Sequence, residues 1–198
     1  MPLQNRVTPL GEIIADPARG ALMGNRGILH DGDRELGQSR WKHKAWIACV
    51  LAFRGRQRTP MTPGRYTELF FLDEATALAA GHRPCAECRR ADFNAYREAW
   101  RKTHHLAAPP SAKAMDDALH AHRVKPRQRE QVHHTRAAAD VPDGAFVLVD
   151  GDAWLVWKRR LLRWSPSGYD RVGSLPGGRL AVVTPQPSVE ALAAGYRV

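Results

Sequence analysis

The chain has 198 residues, with 30 Lys and Arg against 20 Asp and Glu and a formal net charge of +10; this is enough length for one large domain or two small ones, and a charge that suits a polyanionic partner. No apolar run reaches membrane-spanning length, and the opening Met1-Pro2-Leu3-Gln4-Asn5-Arg6 lacks the apolar core of a secretory signal, so the expected setting is the cytoplasm, with no membrane partner. Three cysteines, two of them at metal-ligand spacing, fit that reducing compartment and exclude a disulfide scaffold.

Taken in chain order, Gly20–His30 reads as a loop, because its three glycines allow unusual backbone angles, and it carries Asn25, Arg26 and His30 as possible neighbours of a metal site. Ala45–Phe53 is apolar enough for a buried strand, with Cys49 inside it as ligand, nucleophile or small core residue. Arg54, Arg56 and Arg58 follow within five positions, a density that suits phosphate contacts. Phe70-Phe71-Leu72 then reads as a strand. Asp73 is a good N-cap, Glu74 sits in the first turn of the helix that follows, Ala75–Ala80 has high helix propensity, and Gly81 stops the helix.

The run His82-Arg83-Pro84-Cys85-Ala86-Glu87-Cys88 holds the clearest chemical signal. Two thiolates at Cys-x2-Cys spacing on a tight turn can close on one zinc ion at roughly 2.3 Å. A redox dithiol or a pair of buried, metal-free cysteines are the competing readings. Cys85 and Cys88 are the expected zinc ligands, with His82 and Cys49 as candidates to complete the site; His43, His104 and His105 are further options. Beyond it, Asp92–Thr103 presents Phe93, Tyr96 and Trp100 at helical spacing, a stripe that belongs to a core.

A second zone, 109–140, opens on Pro109-Pro110. Ala112–Arg123 reads as a helix on which Asp116 and His120, four residues apart, share a face, either as a solvated pair or as a catalytic acid and base. Lys125, Arg127 and Arg129 add charge where Pro126 breaks the helix. From 141 to 198 the pattern changes to strands: Phe146–Val149, Ala153–Trp157, Leu161–Trp164 and Leu180–Thr184, separated by turn residues at hairpin distances. Ser188–Gly195 closes the chain as a short helix or turn. Trp154, Trp157 and Trp164 are expected to be core, with one exposed at most.

The stretch Glu74-Ala75-Thr76-Ala77-Leu78-Ala79-Ala80-Gly81-His82-Arg83-Pro84-Cys85-Ala86-Glu87-Cys88-Arg89 resembles the second half of the zinc domain of Ada-type methylphosphotriester repair proteins, over about residues 49–92. That resemblance implies a zinc module that meets DNA. It also implies a second cysteine pair upstream, one member of which accepts the methyl group, and the family spacing places that pair near Arg54 and Arg58. Arginine neither ligates zinc nor accepts a methyl group as a thiolate does, so the family's own chemistry is not expected here.

The expectation is an α+β protein: an Ada-like cysteine/zinc module over 1–108, a basic helical connector over 109–140, and a small antiparallel β-rich unit over 141–198. Its expected role is DNA binding in repair or processing, through Arg54, Arg56, Arg58, Arg83, Arg89, Arg90, Lys125, Arg127 and Arg129. One alternative is a metal- or thiol-dependent DNA-acting enzyme (nuclease, glycosylase or lyase) using Cys49 or Asp116 with His120. Another is a protein-interaction module in which zinc is purely structural. Zinc deaminases share the Pro-Cys-x2-Cys half, but Gly55–Leu69 offers Glu68 without the His-x-Glu or Cys-x-Glu that the reaction needs.

Overall fold

A computed structural model describes residues 1–56, 59–125 and 130–198. Its described residues form two six-stranded sheets and four α-helices, a mixed α+β architecture. The first sheet contains β1 (Gln4–Val7), β2 (Ile13–Ala15), β3 (Leu22–Asn25), β4 (Ile47–Val50), β5 (Leu69–Phe71) and β6 (Arg83–Pro84), in the order β2-β1-β5-β3-β4-β6. The β1–β5 and β4–β6 pairs are parallel and the others antiparallel. The second sheet is antiparallel throughout: β7 (His134–Ala137), β8 (Phe146–Val149), β9 (Asp152–Trp157), β10 (Arg160–Ser165), β11 (Gly168–Ser174) and β12 (Arg179–Val182), ordered β11-β10-β9-β8-β12-β7.

Between the sheets runs α1 (Glu74–Ala79), capped as its sequence demands: the Asp73 carboxylate accepts the Thr76 N–H at 2.8 Å. Ala75 through Ala79 are all buried, so this short helix has no solvent face. Its small side chains let different neighbours approach on each side. Ala77 packs with Val7, Leu69 and Phe71 of the first sheet; Ala75 and Ala79 join Phe146, Leu155 and Val183; Leu78 enters the main core.

That main core is built by α2 (Arg90–Thr103), α3 (Ala112–Arg123), α4 (Gln186–Ala193) and the inner face of the second sheet. Phe93, Tyr96 and Trp100 of α2 lie on one stripe and meet Met115 and Leu119 of α3, Val189 and Leu192 of α4, and Val147, Trp154 and Val182 of the strands. Trp154 is buried and Trp157 and Trp164 are half-buried, so the tryptophans of this sheet belong largely to packing.

One expectation needs correction, and one strand was not expected at all. Gly20–His30 is not a loop throughout, because β3 lies inside the first sheet between β5 and β4. Gly24 marks a close backbone approach within that strand, since a Cβ there would come within 2.2 Å of the Ile47 carbonyl. The segment around His134 is the edge strand β7, hidden from a pattern reading by its polar composition and its single neighbour β12. The expected strand at Phe70 and the helices at Ala75, Asp92 and Ala112 correspond to β5, α1, α2 and α3.

Candidate metal centre

The three cysteines come together because of strand register. β6 runs parallel to β4, with Ile47 opposite Arg83 and Ala48 opposite Pro84, so one residue further the chains place Cys49 beside Cys85. The Cys85 N–H donates to the Ala48 carbonyl at 3.0 Å, which extends that pairing. A turn over residues 86–89 then folds Cys88 back, closed by the Arg89 N–H on the Cys85 carbonyl at 3.2 Å. The sulfurs of Cys49, Cys85 and Cys88 all lie within 4.8 Å of one another. Ligands at 2.3 Å in a tetrahedron stand roughly 3.8 Å apart, so a small contraction would bring these thiols onto one ion.

Within the cluster, Cys85 alone is biased toward the thiolate. The Cys49 thiol donates toward Cys85, which pushes Cys49 up and pulls Cys85 down from the ordinary thiol range; burial pushes Cys88 up. The Glu87 N–H also points at the Cys85 sulfur, 3.4 Å away. These donors favour a thiolate at Cys85, and thiolates are what zinc requires.

The thiols line a cleft of about 480 Å³ on the face of the first sheet away from α1. Strand alternation sends Met23, Asn25, Ile47 and Phe70 to the same face. Glu68, 3% exposed, also lines the cleft, and its carboxylate accepts the Met61 N–H at 2.8 Å. At the rim, exposed Arg56 pairs with Glu87 at 2.7 Å. Among the described residues no histidine joins the three cysteines.

His82 is therefore not a ligand. It is fully buried on the other side of the sheet, with its ring 4.5 Å from Phe71 and 5.3 Å from Trp46, and neither ring nitrogen has a hydrogen-bond partner. Burial, reinforced by Arg26 and Arg123, holds its pKa well below the usual imidazole value. Arg26 likewise points away from the thiols, and His30 hydrogen-bonds Thr67 at 2.7 Å; Asn25 does line the cleft. His43 lies 3.2 Å from the Asn25 side-chain oxygen, His104 pairs with Glu190, and His105 lies in the turn after α2, all outside the cysteine cluster.

The expected acid and base on α3 have different partners. Asp116 is buried and receives both Nε and Nη2 of Arg83, each at 2.8 Å. His120 sits beside Arg123 and Trp41 instead, so the two do not form a catalytic pair. Arg83 is thereby removed from the phosphate-contact set, as is Arg89, which is buried against Glu74 and Asp92. Both guanidiniums are already neutralised by carboxylates inside the fold. Arg54, Arg56 and Arg90 are exposed, and exposed Lys125 pairs with Glu130 at 2.8 Å. Arg58, Arg127 and Arg129 lie outside the described residues.

No family model, curated protein or solved structure matches this chain. The centre is thus characterised by its own geometry: three thiols from β4 and the β6 turn, open on one side to a cleft that contains a carboxylate. Sequence spacing alone signalled Cys85 and Cys88. The convergence of Cys49, 36 residues before Cys85, depends on the parallel β4–β6 register, and Glu68 carries no motif at all.

Proposed function

We propose that Cys49, Cys85 and Cys88 hold a single zinc ion and that this centre serves a DNA-contacting protein of the repair or processing type. The convergence of three thiols from two separate segments carries the reading. Three thiolate ligands leave one position of a tetrahedron for a ligand from the cleft, the arrangement of a working centre and not of a closed structural one. The Ada-like run supports the same assignment, with Cys49 supplying a thiol on the strand and the Arg54 region left free of ligand duty. Exposed Arg54, Arg56 and Arg90, together with the net charge of +10, supply the phosphate-facing component.

Zinc, when bound, would polarise a ligand at the open position and keep the sulfurs deprotonated. The chain's own residues would do the rest: Cys49 and Cys85 present sulfur to the cleft, while Glu68 offers a carboxylate to accept or return a proton. The buried Glu68 favours a second reading, a metal-dependent enzyme acting on DNA, in which Glu68→Gln removes turnover and leaves metal content intact.

The test has two arms. Elemental analysis of protein prepared without chelator should give one zinc per chain, lost in Cys85→Ser; absence of metal from the parent protein would sink the centre. Duplex DNA affinity should fall log-linearly with salt, and replacing Arg54, Arg56 and Arg90 by Ala should lower that slope by about 0.9 for each phosphate contact removed. A salt-insensitive complex would point to an acidic or apolar protein partner.

A further inference from the structure

The opposite face of the first sheet carries a second cavity, of about 420 Å³, between the β1–β2 turn, the loop before β4 and the end of α3. Its lining includes Arg26, Arg123, Arg40, Trp41, Trp46 and one carboxylate, the exposed Glu12. Arg26 is 2% exposed and Arg123 1%. Among the described residues neither makes a salt bridge, in contrast to Arg83 and Arg89, whose carboxylates are in contact with them.

Carbonyl oxygens hold the two guanidiniums in place. Arg26 donates to Gly11 at 3.0 Å and to Ala80 at 3.5 Å; Arg123 donates to Gly81 at 2.7 Å and to Lys44 at 2.6 Å. Both lie over the Trp46 indole, 4.1 and 3.8 Å from its ring centroid. The Nε of each is buried without a hydrogen-bond partner. Burial, together with the positive charge of other arginines (Arg123 and Arg40 around Arg26, Arg83 near Arg123), pushes each pKa down to about 9, although nearby Asp116 opposes this at Arg123. Two desolvated cations on one indole, neither with a carboxylate at salt-bridge distance among the described residues, are costly without an anion.

We propose that this cavity binds a small organic phosphate of about mononucleotide size, its phosphate held by Arg26 and Arg123 and its planar body against Trp41. Guanidinium forks suit oxyanions, and two unneutralised arginines match the charge of a phosphate monoester better than that of a carboxylate. The volume lies within the range of about 300–1,000 Å³ common for small-ligand sites and leaves room beyond the phosphate itself. Trp41 is half-buried, and with Ile13 and Ile14 it provides an apolar wall for that remainder. This site is independent of the cysteine centre and of any DNA role.

Full-length protein would be titrated by calorimetry with dAMP, inorganic phosphate, deoxyadenosine and acetate. The expected result is saturable binding of dAMP below about 1 mM, weaker binding of phosphate, and none of deoxyadenosine or acetate. Arg26→Met and Arg123→Met should each weaken dAMP by at least about tenfold. If either variant fails to fold, Arg40→Met and Trp41→Ala, nearer the mouth, should each weaken it by about threefold or more. Deoxyadenosine binding as well as dAMP, acetate competing as well as phosphate, or dAMP binding unchanged in the folded variants would each overturn the assignment. Absence of any saturable binding by dAMP would do the same.

Discussion

The two faces of the first sheet carry opposite chemistries built on the same strands. On one face, Met23, Asn25 and Cys49 look into the thiol cleft. On the other, Ala48 packs with Ala77 of α1, Gly24 faces Phe71 and His82, and just beyond the strand ends Arg26 lies over Trp46, whose ring meets His82. The thiol face gathers groups that become anionic when they bind a metal. The Trp46 face holds cations and an uncharged imidazole sealed from water. The contrast teaches that period-two alternation lets a thin sheet separate a thiol cluster from a cationic cavity within a few residues of chain.

The largest expected effect tests whether buried arginines on the inner side depend on internal neutralisation. Asp116→Asn leaves the buried Arg83 charge unpaired, which should cost about 3–5 kcal/mol in urea unfolding, and Arg83→Met combined with Asp116→Leu should recover most of it. A cost below about 1 kcal/mol for the single change would show that the pair is solvated in practice.

Zinc tests the outer face. A bound ion at about a thousandfold above its dissociation constant adds about 4 kcal/mol, so chelation or Cys85→Ser should lower the melting temperature clearly. Equal melting of parent and variant, both with and without chelator, would separate the thiols from stability.

Gly81 joins the two sides and should give the next effect. It ends α1 at φ 83°, and a Cβ there would meet Arg123 Cδ at 2.5 Å. Gly81→Ala should cost about 1–3 kcal/mol by denaturant midpoint, through left-handed strain and displacement of Arg123. If Arg123 is seated as described, the same change should also disturb phosphate binding in the cavity.

The smallest effect is a pH slope. The His82 folded pKa is depressed below the ordinary 6.5, chiefly by burial. Its contribution is therefore fully present above about pH 6.5 and is lost as pH falls toward the folded value, by up to about 1.4 kcal/mol per pH unit. His120 and His134 shift in the same sense, also chiefly by burial. His82→Leu should flatten only its own share of the slope, measured by urea unfolding between pH 7 and 5; an unchanged slope would mean the ring is not sealed.

What the sequence made legible follows from range. Asp73, the alanine run and Gly81 fixed α1 through local capping and propensity, and the stripe Phe93, Tyr96 and Trp100 marked the inner side of α2. Cys85 and Cys88 were visible because two ligands lie on one turn. Arg83 with Asp116, and Arg26 with Trp46, join residues 33 and 20 positions apart, and no local pattern encodes those meetings. Arg83 and Arg89 read as surface charge because composition does not reveal which guanidiniums face an internal carboxylate. β3 was missed because three glycines and a polar Asn in Gly20–His30 suggest a loop, while the reward for extending it comes from β4 and β5 on either side.

The alanine helix α1 also bears on how the chain acquires its structure. Six residues are too few to persist alone in water. Each side of α1 is completed by a different layer: Ala77 by the first sheet, Ala75 and Ala79 by strands from beyond residue 140, and Leu78 by the core of α2, α3 and α4. Its amides should consequently exchange hydrogen only on global opening, while edge strands β2 and β11 exchange sooner. A polypeptide ended at residue 108 would leave Tyr96 and Trp100 without Met115, Val147 and Val189 beside them, so the thiol centre should assemble late, after both halves of the chain have been synthesised.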